Sequence, residues 1–195
     1  SVVESGYGIA VPSLGVLLSD ANKTRFTAIK SENAGSEPYS DSVFSIGNDL
    51  FGEGIFCGKG VVRIKEFYEL VAKAFPKGKI LSHDIPEGNI LRTAYISDAV
   101  FYDDIPDDIV SFTERGCRWI RGDIQNTLFL KKSYVNGKRQ RVANEMGLWG
   151  KYLIFNNAVS AFYFPSIFFL VLSSIFFGIF PVITAVLLFF FEDIC

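Results

Sequence analysis

The end of this chain has no charge. No Asp, Glu, Lys, Arg or His lies between Lys151 and Glu192, and the interval is mostly Phe, Ile, Leu, Val and Ala. A run of that kind excludes an all-soluble protein and is long enough for one membrane helix of about 20 residues and part of a second. It lies at the C-terminal end, which excludes a signal peptide. Cysteine is scarce: Cys57, Cys117 and Cys195 are an odd number without a C-x-x-C pair. That excludes a disulfide framework or a zinc module, and reduced thiols on a cytosolic face fit best. His83 is the only histidine, and His83 with Asp84 alone is too small a ligand set for a metal. The glycine-rich stretch has no Ser or Thr after Lys59, so it does not match the G-x-x-x-x-G-K-[ST] phosphate loop. No internal repeat is present.

What is there divides into three parts. Residues 1–130 carry ordinary soluble-domain charge, 131–158 form a basic and interfacial segment, and 159–195 form a transmembrane region. Tyr7 to Leu18 reads as extended, Ser19 to Ser36 as a polar loop, and Ser42 to Leu50 as a short helix. Ile64 to Phe75 has Phe67, Leu70, Val71, Ala74 and Phe75 at helical spacing, and Pro76 and Gly78 stop it. Lys79 to Leu81 reads as a short strand, Ile85 to Tyr95 as a helix and Ala99 to Tyr102 as a strand. A helix starting at Asp107 carries Arg115 to Gln125 and continues to Leu130. Asn136-Gly137 marks a turn. Val142 to Asn157 reads as interfacial, with Trp149, Tyr152 and Phe155 as anchors. Val159 to Gly178 is a membrane helix, and Pro181 opens a second span. Lys131, Lys132, Lys138, Arg139, Arg141 and Lys151 precede the first span and place the soluble part in the cytoplasm. A chain that starts at Ser1 and ends at Cys195 is expected to be a piece of something longer.

Two stretches carry the chemistry. The first is Ser82-His83-Asp84-Ile85-Pro86-Glu87-Gly88, which sets a carboxylate at a loop-to-helix junction. Two compatible readings stay open for Asp84. It can be the N-cap of a capping box with Glu87 at N3, or the general base that takes a proton from an attacking hydroxyl. His83 reads either as a hydrogen-bonded structural residue or as part of the same site. The second stretch holds Arg115, Arg118, Trp119 and Gly122 at i, i+3, i+4 and i+7, on one helix face. Arg offers a planar fork for a diphosphate and Trp a plate for a sugar ring. A salt-bridged surface helix with a half-buried Trp explains the same spacing. Asp103-Asp104 and Asp107-Asp108 flank Ile105-Pro106 and read as solvated turn residues, with Asp107 as a helix cap.

Together these motifs resemble the processive, membrane-bound family 2-type glycosyltransferases. Ser82-His83-Asp84 stands at the acidic motif that supplies the base, and Arg115-x-x-Arg118-Trp119 at the Q/R-x-x-R-W motif. Gly54-x-Phe56-Cys57-Gly58 is similar to the loop lining the acceptor site in cellulose synthases. The closer resemblance is to the glycosyltransferase domain of cyclic β-1,2-glucan synthases. It rests on the runs Asp49 to Gly60, Leu81 to Gly88 and Arg115 to Gln125, taken in order, and extends from about residue 8 to residue 180.

The resemblance implies an α/β fold: the C-terminal half of a GT-A-type domain, then an interfacial segment and one to two transmembrane helices. It implies Asp84 as the catalytic residue, with Arg115, Arg118, Trp119, Phe56, Cys57, Gly58, His83 and Glu87 binding substrate. It implies UDP-glucose and a glucan acceptor as partners, an inverting transfer, and a divalent cation (Mg or Mn) in the intact enzyme. Membrane lipid is a partner and nucleic acid is not. The location implied is the bacterial inner membrane. No D-x-D precedes Asp84, so this piece is expected to hold no metal ligands and to be inactive alone. Another processive polysaccharide synthase and an inactive glucan-binding membrane fragment are the alternatives.

Overall fold

The computed structural model describes residues 6–31, 49–76, 78, 80–178, 181–184 and 186. The first element is strand β1, Ile9–Val16, with Ile9, Val11 and Leu14 buried. Two short helices follow, α1 (Leu18–Ala21) and α2 (Arg25–Ser31), where a polar loop was expected. Thr24 and Thr27 explain α2. The Thr24 hydroxyl accepts from Thr27 N at 3.0 Å, and Thr27 Oγ1 accepts from Thr24 N at 2.9 Å. These local bonds start a helix that apolar periodicity does not announce. The short helix expected at Ser42 to Leu50 lies largely outside the described residues.

Strand β2 (Val61–Val62) pairs antiparallel with β1, and β3 (Thr93–Asp103) pairs parallel with its other edge, giving the order β2-β1-β3. The register slips between Pro12 and Ser13, and Ile96 and Val100 are the partners on either side. Pro12 has no N–H for a ladder bond, which suits a bulge at that place. Between β2 and β3 lies helix α3, built of Ile64–Glu66, a π turn at Phe67–Val71, and Ala72–Ala74. Helix α4, Asp84–Leu91, precedes β3.

Two boundaries differ from the sequence reading. The helix expected through Tyr95 stops at Leu91, because Arg92 takes a φ of 55° and Thr93 begins the strand. The backbone there is claimed by β1: Gly8 N donates to Leu91 O at 2.7 Å, and Ile9 N to Arg92 O at 3.2 Å. The strand expected at Lys79 to Leu81 is not one at Ile80 and Leu81. Leu81 N donates to a side chain instead, Gln125 Oε1, at 2.8 Å.

Helix α5 runs Ile109–Asn126 and closes in a 3-10 turn, Thr127–Leu130. Its cap is Asp108, not the expected Asp107; one Asp108 oxygen accepts from Val110 N at 2.8 Å and Ser111 N at 2.9 Å. A hairpin follows, β4 (Ser133–Val135) with β5 (Arg141–Ala143), around the expected Asn136-Gly137 turn.

Helices α6 (Leu148–Ser160) and α7 (Tyr163–Phe177) follow. Together they form one stretch, Leu148–Phe177, holding an 18-residue window apolar enough to cross a membrane, with mean hydropathy 1.9 and no buried residue. The apolar window holds no buried residue and so lies after the buried Ala158 of α6, in keeping with a span expected from Val159. Pro165 falls in the first turn of α7, where a missing N–H breaks no helical bond. The second span falls mostly outside the described residues.

The core has two centres. Ile9, Val11, Phe56, Val71 and Leu91 form one beside the sheet. Ile55, Ile85, Phe129, Leu153 and Ile154 form the other. The second joins α6 to the rest, since Leu153 and Ile154 are its side chains while Tyr152 and Phe155 face outward. None of the described residues of α7 is buried.

This two-faced helix yields a stability prediction. Ile154 is 1% exposed and Phe155 57%. Ile154→Ala should cost about 2–5 kcal/mol, and Phe155→Ala less than about 0.5 kcal/mol. Chemical unfolding in detergent checks both. Equal effects would show that α6 does not dock through its inner face.

Candidate functional site

The site is built where α4 begins. Asp84 is the first residue of α4, and His83 is its N-cap position with no side-chain cap bond. This corrects the capping-box reading. Glu87 does not reach back to a backbone N–H; Glu87 Oε1 meets His83 Nδ1 at 2.6 Å. Glu87 N still closes the turn on His83 O at 2.9 Å. With the capping role gone, the Asp84 carboxylate is left to its surroundings.

Those surroundings are tight. The loop of Phe56, Cys57 and Gly58 runs past the carboxylate. Gly58 has a φ of +85°, and a Cβ there would lie 3.0 Å from Asp84 Oδ2. Glycine is required at this position by both the backbone and the space. Phe56 itself is 5% exposed and belongs to the core, so it supports the loop from beneath. Cys57 is half-buried and forms no disulfide.

From the other side comes α5. Gly122 of α5 is pressed on Ser82, whose Cβ and backbone leave no room for a side chain. The Leu81 to Gln125 bond sits one turn further along. Ser82 is thus held against α5 two residues before Asp84. Asp123 follows Gly122 and lies near Asn157 of α6. The sequence reading names neither Asp123 as a site residue nor Asn157 as more than the end of an interfacial segment. Their signals were slight: Asp123 lies four residues after Trp119, and Asn157 is a polar side chain in an apolar run.

The electrostatics follow from burial and crowding. Desolvation and the Glu87 charge hold the Asp84 carboxyl above the ordinary value, against the pull of His83. Burial also raises Asp123; Asn157 pulls it down, and the Asp84 charge raises it further. The Glu87 bond raises His83, partial burial opposes, and the charges of Glu87 and Asp84 add.

One turn before Gly122, Trp119 is 48% exposed. The Arg115 guanidinium lies over its ring, 4.7 Å from the centroid. This is a cation–π contact rather than a free fork. Arg118 is exposed. Beyond Arg115, Lys59 pairs with Asp103. Burial works to raise the Asp103 carboxyl, yet Lys59, and Arg115 more weakly, hold it below its ordinary value. Asp104 and Asp107 gather around Lys23 at 3.3 and 3.9 Å, so the acidic turn is ion-paired, not merely solvated.

Among the described residues, His83, Asp84 and Glu87 are the one grouping that could hold a metal, with ligand atoms within 4.8 Å of one another. It does not fit the hard divalent cation expected for the intact enzyme. Such ions take six or more oxygens, and here His83 and Glu87 already satisfy each other.

No protein-family model matches the chain. It is similar to the protein named cyclic beta-(1,2)-glucan synthase NdvB of Rhizobium meliloti (strain 1021), 32% identical over 124 residues. The match covers 63% of this chain and 4% of that protein, so the chain spans a small part of its curated relative. The resemblance drawn from the three motifs is borne out by this match.

The lone histidine gives a clean titration. Its imidazole NMR resonance should titrate above 6.5, the ordinary value, and Glu87→Gln should return it toward 6.5. The stabilisation from the pair is full below 6.5 and is lost as pH rises through the raised value. Asp84 acts in the same direction. Its folded carboxyl binds a proton more tightly than the unfolded one, so stability falls as pH rises from 3.8 through the raised value. Asp84→Asn should flatten that slope in pH-dependent unfolding. A slope unchanged by the substitution would remove Asp84 as its source.

Proposed function

We propose that this chain supplies the acceptor side of a membrane-bound glycosyltransferase that adds glucose from UDP-glucose to a growing β-1,2-glucan. The observation that carries the reading is the placement of Asp84. Its carboxyl is raised by burial, it lies beside the Gly58 loop, and Ser82, two residues before it, is pressed on Gly122 of the helix that bears Trp119. The similarity to a protein named as a cyclic β-(1,2)-glucan synthase supports the same reading.

In this mechanism Asp84 takes the proton of the attacking acceptor hydroxyl. A carboxylate with a raised pKa is a stronger base than an ordinary one, which serves that task. Trp119 stacks the acceptor sugar on its exposed face while Arg115 holds the other. Arg118 reaches the departing diphosphate. The Gly58 loop presents backbone rather than side chain, which lets a sugar approach the base. Transfer with inversion follows from a single base and no covalent intermediate on the enzyme. The donor nucleotide and the divalent cation that would bind its diphosphate are assigned to protein outside this segment. The fold is then the C-terminal half of a GT-A-type domain. Leu148–Phe177 anchors it in the bacterial inner membrane with the basic hairpin on the cytoplasmic side.

The test is a graft of this segment into the matching place of a full-length synthase, with radiolabelled UDP-glucose as donor. The unaltered graft should make β-1,2-glucan. Asp84→Asn should lower the rate by roughly 10²–10⁴-fold. A graft that works equally well with Asn at that position would sink the assignment of the base.

A further inference from the structure

We propose that the β4–β5 hairpin is a headgroup-binding finger, which docks the chain on an anionic phospholipid surface through Lys131, Lys132, Lys138, Arg139 and Arg141. The proposal rests on the membrane-anchored part of the reading above and is independent of sugar transfer.

Charge is the first ground. The whole chain is slightly acidic, with 19 Lys and Arg against 21 Asp and Glu. Between Asp123 and Glu192 the balance reverses: six cations stand against one acid, Glu145. Five of the six lie in or beside the hairpin, and all five are exposed. Among the described residues, no ion pair includes any of the five. Exposed cations elsewhere in this chain do find carboxylates, as Lys23 finds Asp20 at 3.2 Å and Arg63 finds Glu66 at 2.6 Å. A cluster of like charges without counter-charges repels itself and gains from an anionic surface.

The build of the hairpin is the second ground. Its base is fixed. Tyr134 packs edge-on against Phe129, with ring centroids 4.9 Å apart. Asn144 N donates to Lys132 O at 3.0 Å, and Asn144 Nδ2 to Lys131 O at 2.9 Å. Tyr134 and Val142 are partners across the ladder and make its half-buried side. Strand alternation puts the next pair, Val135 and Arg141, on the other side, where both are exposed. At the tip, Asn136 Oδ1 accepts from Lys138 N and Gln140 N, both at 2.9 Å, and Arg139 is held at a φ of 62°. Arg141 Nε donates to Ser133 Oγ at 2.9 Å, which leaves its other N–H groups for a ligand. Guanidinium forks and ammonium groups are the donors that phosphodiester oxygens take.

Continuity with the apolar helices is the third ground, and it selects a lipid over a free phosphate. Four residues separate Ala143 from Leu148, where α6 begins. Helix α6 exposes Leu148, Tyr152, Phe155 and Val159, a single stripe by helical spacing. That stripe leads into the stretch holding the membrane-crossing window. Tyr134 of the hairpin and Leu153 of α6 pack on the same cluster around Phe129, so the two elements are seated on one body. Cations followed by an apolar stripe match headgroups over acyl chains. A soluble phosphate would use only the first half of that surface.

The experiment places the 195-residue chain in nanodiscs of phosphatidylcholine, with or without phosphatidylglycerol. Amide exchange across residues 131–143 is followed by mass spectrometry at low salt. Each cation near an anionic surface is worth about fivefold in binding, so exchange should be about tenfold or more slower in the anionic discs. High salt should remove the difference. A variant with Lys131→Gln, Lys132→Gln, Lys138→Gln and Arg139→Asn should exchange alike in both discs; Asn tolerates the positive φ. Lys65→Gln, at an exposed position on α3, should keep the protection. Glycerol phosphate added to neutral discs should not protect the hairpin. Protection there equal to that in anionic discs would overturn the lipid assignment in favour of a free phosphate. Equal exchange of the parent in both discs overturns the proposal and leaves the sugar-transfer reading standing. A chain that enters neither disc removes the membrane anchor and this proposal with it, without touching Asp84. Should the fourfold variant not fold, the salt series on the parent decides: protection that survives high salt overturns the proposal.

Discussion

The seating of Gly122 on Ser82 is the contact on which the candidate site depends. There is no space for even one methyl group between them. Because of that closeness, a long helix and a connecting loop meet at a fixed height. The Arg115 to Asp123 face of α5 comes to the N-terminal turn of α4, and the amide of Leu81 finds Gln125. A connection that would otherwise need a strand partner for its backbone is satisfied by a side chain. The same economy recurs at Gly58 beside Asp84, and at Gly150, where Asn89 fills the place a side chain would take. Three glycines thus let neighbouring elements approach closely, and Gly58 does so at the Asp84 carboxylate.

What converges is an excess of negative charge with one histidine. The Glu87 charge acts on Asp84 and the Asp84 charge on Asp123, while His83 is bonded to Glu87. The pairing matters for Asp84. Glu87 is 5% exposed and would be costly as a bare anion, so His83 serves it first. Asp84 is left without an ion-pair partner, and burial with the Glu87 charge raises its carboxyl. The cations of the region are placed further out. Lys59 is taken by Asp103 and Arg115 by the Trp119 ring. A proton acceptor at the centre and guanidinium groups at the rim are what transfer from a charged leaving group would use.

Attachment to the apolar helices follows a different logic. Helix α6 has two apolar faces, one packed with Ile55, Ile85 and Phe129, the other exposed. Helix α7 exposes its surface along its length. Burial therefore couples α6 to the mixed α/β body.

Much of this was legible along the chain. Periodicity and stop signals placed α3, and the Arg-x-x-Arg-Trp spacing placed one face of α5 correctly. The uncharged run located α6 and α7, and the motif order pointed to the relative that the comparison then returned. These features are local, or repeat at helical period, and so the order of residues alone determines them. The rest depended on contacts between distant residues. Asp84-Ile85-Pro86-Glu87 has the pattern of a capping box, yet Glu87 bonds His83, because a buried carboxylate takes the strongest donor in reach. Leu91 ends its helix because β1 takes its carbonyl. Phe56 looked like a lining residue and is core. Ser82 gained its place only when it met Gly122 of α5. The sequence determined which chemical groups are available and which segments are helical. Only the tertiary structure decided which group each one faces, because hydrogen bonds, burial and charge are settled by neighbours far away in the chain.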